Sequence, residues 1–349
     1  MYSVNKEKKY EYLKSIKQKN EPKTFELYSK LIDKLDEFED YKGIQATNMT
    51  KLDFMEFLTS LSSSSLSVLY TYKSAINSYL MFATDKQNFT IGLLELDKIT
   101  QDDLLECINE KAELMQFITE QEYYEIITKV DEKTGESVGN YQDKLVIILL
   151  WKKIKGKKQF GDLLDLKVSD VDFQNKTINS KGRIIQLSDI EFDIVEKAIM
   201  ERQYVRSTMD KKGNINEANV DYLDGDYLIR ATAGSTNMEV DNNQCTYGTF
   251  ANRMSKYYNI VLQRSGLTNQ RIYKSSVYYY MLLDYKRELT LSELTDYLKE
   301  RGEKVSLSNM YREQEIMFKK MKDQGVIIKN IKIVVDKLWN KEYTIINQK

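Results

Sequence analysis

A single proline, Pro22, stands in 349 residues, and that scarcity constrains the fold more than any other feature. Proline ends or kinks helices because it lacks an N–H and its ring collides with the preceding turn. A chain with almost none has little to interrupt helices, so a helix-rich architecture is expected. Hydrophobic residues at 42% and charged residues at 30% describe a globular chain rather than a disordered one. The length allows two domains or one large one. The longest apolar run, Leu145 to Trp151, is too short to span a bilayer. Met1 to Lys9 is polar and lysine-rich with no apolar stretch behind it, so neither a membrane anchor nor a secretory signal is expected. Cys107 and Cys245 have no spacing that suggests a disulfide or a zinc site, and a reducing cytoplasm is the simplest compartment.

Histidine is absent from the chain. Without imidazole there is no ready proton shuttle near neutrality and no nitrogen metal ligand of the usual kind. Phosphoryl or acyl transfer would have to rely on lysine, tyrosine or carboxylates, which turns the reading from catalyst toward binder. Asp170/Asp172 and Asp224/Asp226 are compatible with a divalent cation, but paired acids in turns are more often simple turn chemistry. No phosphate loop, nucleophile elbow or dinucleotide fingerprint is present, and no cofactor or metal is expected.

Net charge is −1, so the distribution says more than the total. Glu95 to Glu136 holds thirteen acidic and four basic side chains. Lys152, Lys153, Lys155, Lys157 and Lys158 fall within seven residues, and Lys319 to Lys349 has eight lysines against three acids. Such asymmetry can steer a polyanion; the alternative for the C-terminal stretch is a solvated face.

Apolar spacing predicts a helix capped by Thr24 and carrying Phe25, Tyr28, Leu31, Ile32, Leu35 and Phe38. A second is predicted over Lys51 to Leu61. A third follows Ser62 to Ser65, with Leu69, Tyr72, Ile76, Tyr79 and Leu80 on one side and Lys73 and Asn77 on another. Residues 1–112 therefore read as a small all-helical domain and 113–349 as a second domain, with the linker in the acidic stretch near Asp97 to Glu113, which has no Gly/Pro signal and is compatible with partial helix. In it, helices are predicted over Thr119 to Lys129, Tyr141 to Trp151 and Gly161 to Lys167. Lys176 to Ser180, Lys181-Gly182 and Arg183 to Leu187 read as strand, tight turn, strand. A helix capped by Ser188 runs through Met200, an exposed loop or hairpin tip holds Lys211 to Asn214, and Asp226 to Ile229 reads as a strand. Further helices are predicted over Thr249 to Gln263, Ser275 to Leu283, Ser292 to Glu300 and Ser308 to Lys322. The run Tyr278-Tyr279-Tyr280 could stack on bases, but tyrosines among Val277, Met281 and Leu282 are more often core.

The order of helix, "GDLLDLKVSDVDF", hairpin and Ser-Asp-capped helix, joined by "RSGLTNQRIYKSSVYYYMLL" and "LSELTDYLKERGEKVSLSNMY", resembles the catalytic domain of the tyrosine recombinases, the phage integrase family. The front domain resembles their helical core-binding domain. The fold class so implied is mainly α with a small antiparallel β-sheet, in a two-domain recombinase-like architecture. In that family a tyrosine attacks a DNA phosphodiester while arginines, histidines and a lysine meet the developing charge. The resemblance places Gln159 where the first arginine belongs and Lys181 at the hairpin lysine. It places Arg271 in a histidine slot, Lys274 in the second arginine slot, Gly302 in the later histidine slot and Tyr311 at the nucleophile. Each lost charged donor costs on the order of 3–4 kcal/mol of transition-state stabilisation, so loss of strand cleavage is expected, and Tyr311 reads as no more than a packed helix residue.

The same substitutions are compatible with holding phosphates. Lys153, Lys157, Lys158, Lys181, Arg183, Arg271 and Lys274 are the expected contacts of the rear domain, with Lys73 and Asn77 as candidates to reach a major groove from the front domain. The chain is also similar to the recombinase-fold repressors that maintain lysogeny in SPβ-like phages. That resemblance implies a non-catalytic, sequence-specific binder of double-stranded operator DNA in the bacterial host cytoplasm, acting as a transcriptional repressor. The alternative is a divergent, active recombinase cleaving through Tyr311. Self-association through Val326 to Ile346 is a third possibility, and any antirepressor is unknown.

Overall fold

The computed structural model describes residues 4–19, 22–84, 90–156, 160–210, 212–233, 244–264, 266–300 and 307–326. Two compact units divide the chain, Met1–Glu113 and Leu114–Lys349.

The first unit is helical: α1 (Val4–Lys19), α2 (Pro22–Lys42), α3 (Lys51–Ser60), α4 (Leu66–Ala83), α5 (Ile91–Asp97), α6 (Gln101–Glu106) and α7 (Glu110–Leu114). Helix α1 was not expected, because its charge hides a short inward stripe. Tyr12 and Ile16 are buried, and Lys9, also buried, is ion-paired with Asp36 at 2.7 Å and with Glu39. Such a pair fixes how α1 lies on α2, since a lone buried ammonium would be costly. Helix α2 starts at Pro22 rather than beyond Thr24; the first turn tolerates proline because its missing N–H has no intrahelical partner there. The acidic stretch near Asp97 to Glu113 carries α6 and α7, with Leu104 and Cys107 in the core, and the two units divide at its end. Gly92 in α5 permits close packing, because a Cβ there would overlap the Ala46 carbonyl oxygen.

The second unit comprises α8 (Glu120–Thr128), α9 (Tyr141–Trp151), α10 (Gly161–Leu164), β1 (Val171–Asp172), β2 (Thr177–Ser180), β3 (Arg183–Gln186), α11 (Asp189–Met200), β4 (Gln203–Met209), β5 (Ile215–Asp221), α12 (Tyr247–Lys256), α13 (Asn269–Tyr285), α14 (Leu291–Glu300) and α15 (Leu307–Asp323). A π-helical turn, Tyr257–Val261, continues α12. Strands β1-β2-β3 form one antiparallel sheet, with Ile178 opposite Ile185 and Ser180 opposite Arg183. Strands β4 and β5 form a separate antiparallel ribbon. Only its tip was expected; β5 is polar and exposed along almost its whole length, so it shows no apolar alternation that would mark a strand. Asp226 to Ile229 is not a strand: Tyr227 forms an isolated bridge with Lys167, and the Leu228 N–H donates to the Leu166 carbonyl at 2.8 Å.

Capping boxes start several helices, with Thr50/Asp53, Thr100/Asp103, Thr119/Glu122 and Ser188/Glu191 each satisfying the other's backbone. Among the described residues, no helix is long and apolar enough to cross a membrane. Asp172 accepts from the Gln174 and Asn175 N–H groups, as turn chemistry requires.

Helix α9 is buried throughout from Gln142 to Trp151. Its polar start is satisfied internally. Gln142 donates to the Ala198 and Leu228 carbonyls, each at 3.0 Å, and accepts from the Arg230 N–H at 3.1 Å. Glu201 accepts from the Tyr141 and Gln142 N–H groups at the positive end of the helix dipole. Asp143 pairs with Arg253 of α12 at 2.9 Å, both buried, and burial pushes its carboxyl up to about 6 against the pull of that guanidinium. Lys144 donates to the Lys129 carbonyl at 3.0 Å.

Two predictions follow from this helix. Arg253→Met should destabilise the protein by about 3–5 kcal/mol near neutrality, because Asp143 is left as an uncompensated buried charge. That loss should shrink in acid as Asp143 takes up a proton, which urea denaturation across pH would read. Burial also pulls the Lys144 ammonium down from 10.5 to about 8. Between those values the unfolded chain holds the proton and the folded chain does not, so stability from this group rises as pH climbs from about 8 to 10.5 and is lost on acidification through that window. Lys144→Met should remove that part of the slope.

Candidate nucleic-acid interface

The end of α9 sets one side of the candidate site. The Lys153 N–H donates to the Leu150 carbonyl at 3.0 Å and the Ile154 N–H to that of Leu149 at 2.9 Å, with Lys153 left-handed at φ 64°. This is a Schellman ending in which lysine takes the usual glycine position and Ile154 is buried beside it. Gly156 then runs against α10, where a Cβ would press on the Asp162 backbone nitrogen. The lysines of this turn are placed individually. Lys152 Nζ pairs with buried Glu191 at 2.9 Å, Lys153 Nζ sits 4.9 Å from the Tyr280 ring centre and Lys155 Nζ 4.5 Å from that of Tyr273. Trp151 supports them from below, donating through its indole N–H to Tyr280 Oη at 3.2 Å.

The β2–β3 hairpin meets the same turn. Lys181 and Gly182 both have positive φ, 51° and 84°, as a tight two-residue hairpin turn demands. The Gly182 N–H donates to Asn179 Oδ1 at 2.9 Å. Lys181 is exposed and ion-paired with Asp162 of α10, which raises its ammonium above the ordinary lysine value. Arg183 is exposed and donates to the Lys152 carbonyl at 2.8 Å.

Helix α13 begins at Asn269, earlier than the expected Ser275, because Thr268 caps it by accepting from the Arg271 N–H at 3.2 Å. Arg271, Lys274 and Tyr278 therefore share one helical face. All three converge on Glu313 of α15: Arg271 at 2.8 Å, Lys274 at 2.7 Å to each oxygen and the Tyr278 hydroxyl at 2.9 Å. Arg271 also lies over the Phe117 ring, 4.9 Å from its centre. Tyr311 is 38% exposed on α15. It stands two residues before Glu313, so at roughly 100° per residue it is turned about 200° from it, away from Arg271 and Lys274.

The structure thus gathers Lys153 and Arg183 at one turn and Arg271 and Lys274 at one carboxylate. Lys181 is bound to Asp162. In the first unit, Lys73 does not reach outward: it is half-buried and donates to the Ile99 carbonyl at 2.7 Å, completing the turn before α6. Asn77, also half-buried, has its amide 3.7 Å from Met81 Sδ. Tyr278 and Tyr279 are buried, which removes them as stacking platforms. Lys157, Lys158, Gln159, Lys211, Gly302 and the tail beyond Val326 lie outside the described residues. Glu313 was missed from sequence. Its signal was a carboxylate on the inward stripe of α15 between Met310 and Met317, where an acid needs buried partners.

No curated protein matches the sequence. Among solved structures, one described as the crystal structure of XerA recombinase is similar at 13% identity and a TM-score of 0.33, covering 91% of this chain and 98% of that one. The expected class, mainly α with small antiparallel sheets, is the one observed. Residues 117–342 match the family described as MrpR, C-terminal catalytic domain, and with well over half of its length in that match the chain belongs to this family.

Proposed function

We propose that this protein binds double-stranded DNA on a recombinase-type scaffold without cutting it, as a phage or prophage transcriptional repressor that maintains lysogeny by occupying operator sites in the host cytoplasm. The observation that carries this reading is the pairing of a gathered basic surface with a misdirected tyrosine. At the end of α9, Arg183 donates to the Lys152 carbonyl and Lys153 is held over Tyr280, whereas Tyr311 is turned away from Arg271 and Lys274. Phosphate contacts need only positioned cations. In-line cleavage needs a nucleophile aimed between its charge-stabilising donors.

Duplex fragments from the gene's own neighbourhood, titrated by fluorescence anisotropy, test the binding. The combined variant Lys153→Glu with Arg183→Glu should bind at least about ten-fold more weakly and flatten the log–log salt slope by about 1.8, the equivalent of two phosphates. Wild-type affinity and slope in that variant would reject the placement.

A second reading, an active but divergent recombinase, draws on the exposure of Tyr311. A nicked suicide duplex separates the two. The repressor reading expects no covalent adduct with the wild type and unaltered binding by Tyr311→Phe. An adduct that disappears in Tyr311→Phe establishes the recombinase instead.

A further inference from the structure

Glu313 is only 5% exposed, yet its carboxylate takes hydrogen bonds from three donor groups on one stripe of α13: Arg271 at 2.8 Å, Lys274 at 2.7 Å and Tyr278 at 2.9 Å. One carboxylate facing a guanidinium, an ammonium and a phenol is outnumbered in charge and in donors. The three donors form a site of the kind that holds a doubly charged or tetrahedral anion, with charge-assisted bonds from a planar fork and a point charge. Two of the donors are fixed independently of their occupant. Arg271 rests on Phe117, and Tyr278 is packed in the core of α13. The helix that delivers the carboxylate is also fixed. Met310, Met317 and Met321 are buried, and the Gln314 amide both accepts from the Leu289 N–H at 3.0 Å and donates to the Leu289 carbonyl at 2.9 Å.

We infer that Glu313 is a resident counter-anion: Arg271, Lys274 and Tyr278 form a phosphate-class anion site that the chain keeps closed with its own side chain. A backbone phosphate gains these donors only by displacing the carboxylate. Since Gln314 and the methionines anchor α15, the exchange is a swing of the Glu313 side chain and leaves the helix in place. Two cations that the sequence places on the polyanion surface are thereby held in reserve. The identity of the incoming phosphate as duplex DNA rests on the function proposed above; the closed anion site does not.

The full-length Glu313→Gln variant tests this with two probes. With duplex DNA it should bind more tightly than the wild type, with a log–log salt slope steeper by about 0.9 as one further phosphate is held. With inorganic phosphate alone, at constant ionic strength, its melting temperature should rise while that of the wild type stays put. Equal affinity and slope for the two proteins on duplex overturns the inference. Should neither protein bind duplex, the DNA reading fails and the phosphate titration decides alone: no rise in Glu313→Gln, or an equal rise in both, overturns the closed site. Should Glu313→Gln fail to fold by circular dichroism, Arg271→Gln in the otherwise native chain supplies the readout. A reserved arginine predicts less than about a two-fold loss of duplex affinity, whereas a loss of about ten-fold, near that of a full phosphate contact, means Arg271 already reaches DNA and overturns the inference.

Discussion

A helix buried on every side cannot hand its polar groups to water, and in α9 that requirement organises the second unit. Gln142, Asp143 and Lys144 occupy its first turn and are all buried. Each must therefore find a partner inside the protein or impose a desolvation cost of several kcal/mol. Gln142 binds α11 and the Leu228–Arg230 segment, Asp143 binds Arg253 on α12, and Lys144 binds the carbonyl after α8. Four neighbouring segments are thus held in register by the polar start of a helix whose remaining residues are apolar.

The other end of the same helix carries that order to the surface. Trp151 stacks on Tyr123 with ring centres 4.8 Å apart and holds Tyr280 through its indole N–H. Tyr280 in turn lies under Lys153, and Tyr273 under Lys155. A lysine in left-handed geometry, where glycine would be less strained, is placed over an aromatic face instead of waving in solvent. Side-chain entropy lost in this way before a ligand arrives is not lost again on binding, so positioned lysines suit phosphate recognition better than mobile ones.

Charge in the chain is arranged in opposition more than in excess. Lys152 faces Glu191, Lys181 faces Asp162, and Arg271 and Lys274 share Glu313. Net charge near zero therefore reflects local neutralisation as well as segregated acidic and basic stretches. On the proposed reading, such a surface attracts a polyanion weakly until internal carboxylates are exchanged for phosphates, so that affinity would turn on competition more than on total charge.

Sequence alone determined the helical class, because one proline in the chain and repeated Ser/Thr-x-x-acid starts are local signals that packing had no need to override. It also determined α9, from an apolar run too dense for a surface helix, and the β2–β3 hairpin, from a Lys-Gly pair between alternating residues. It missed α1 and the β4–β5 ribbon, where charged or polar residues carry no strong periodicity and stability comes from partners distant in sequence. Which cations are available was beyond its reach. Lys73, Lys181, Arg271 and Lys274 look alike as residues, yet their partners, Ile99, Asp162 and Glu313, lie 19 to 42 residues away. Only tertiary structure decides such pairings, because electrostatic interaction depends on separation in space and on burial, and neither is written in the order of the chain.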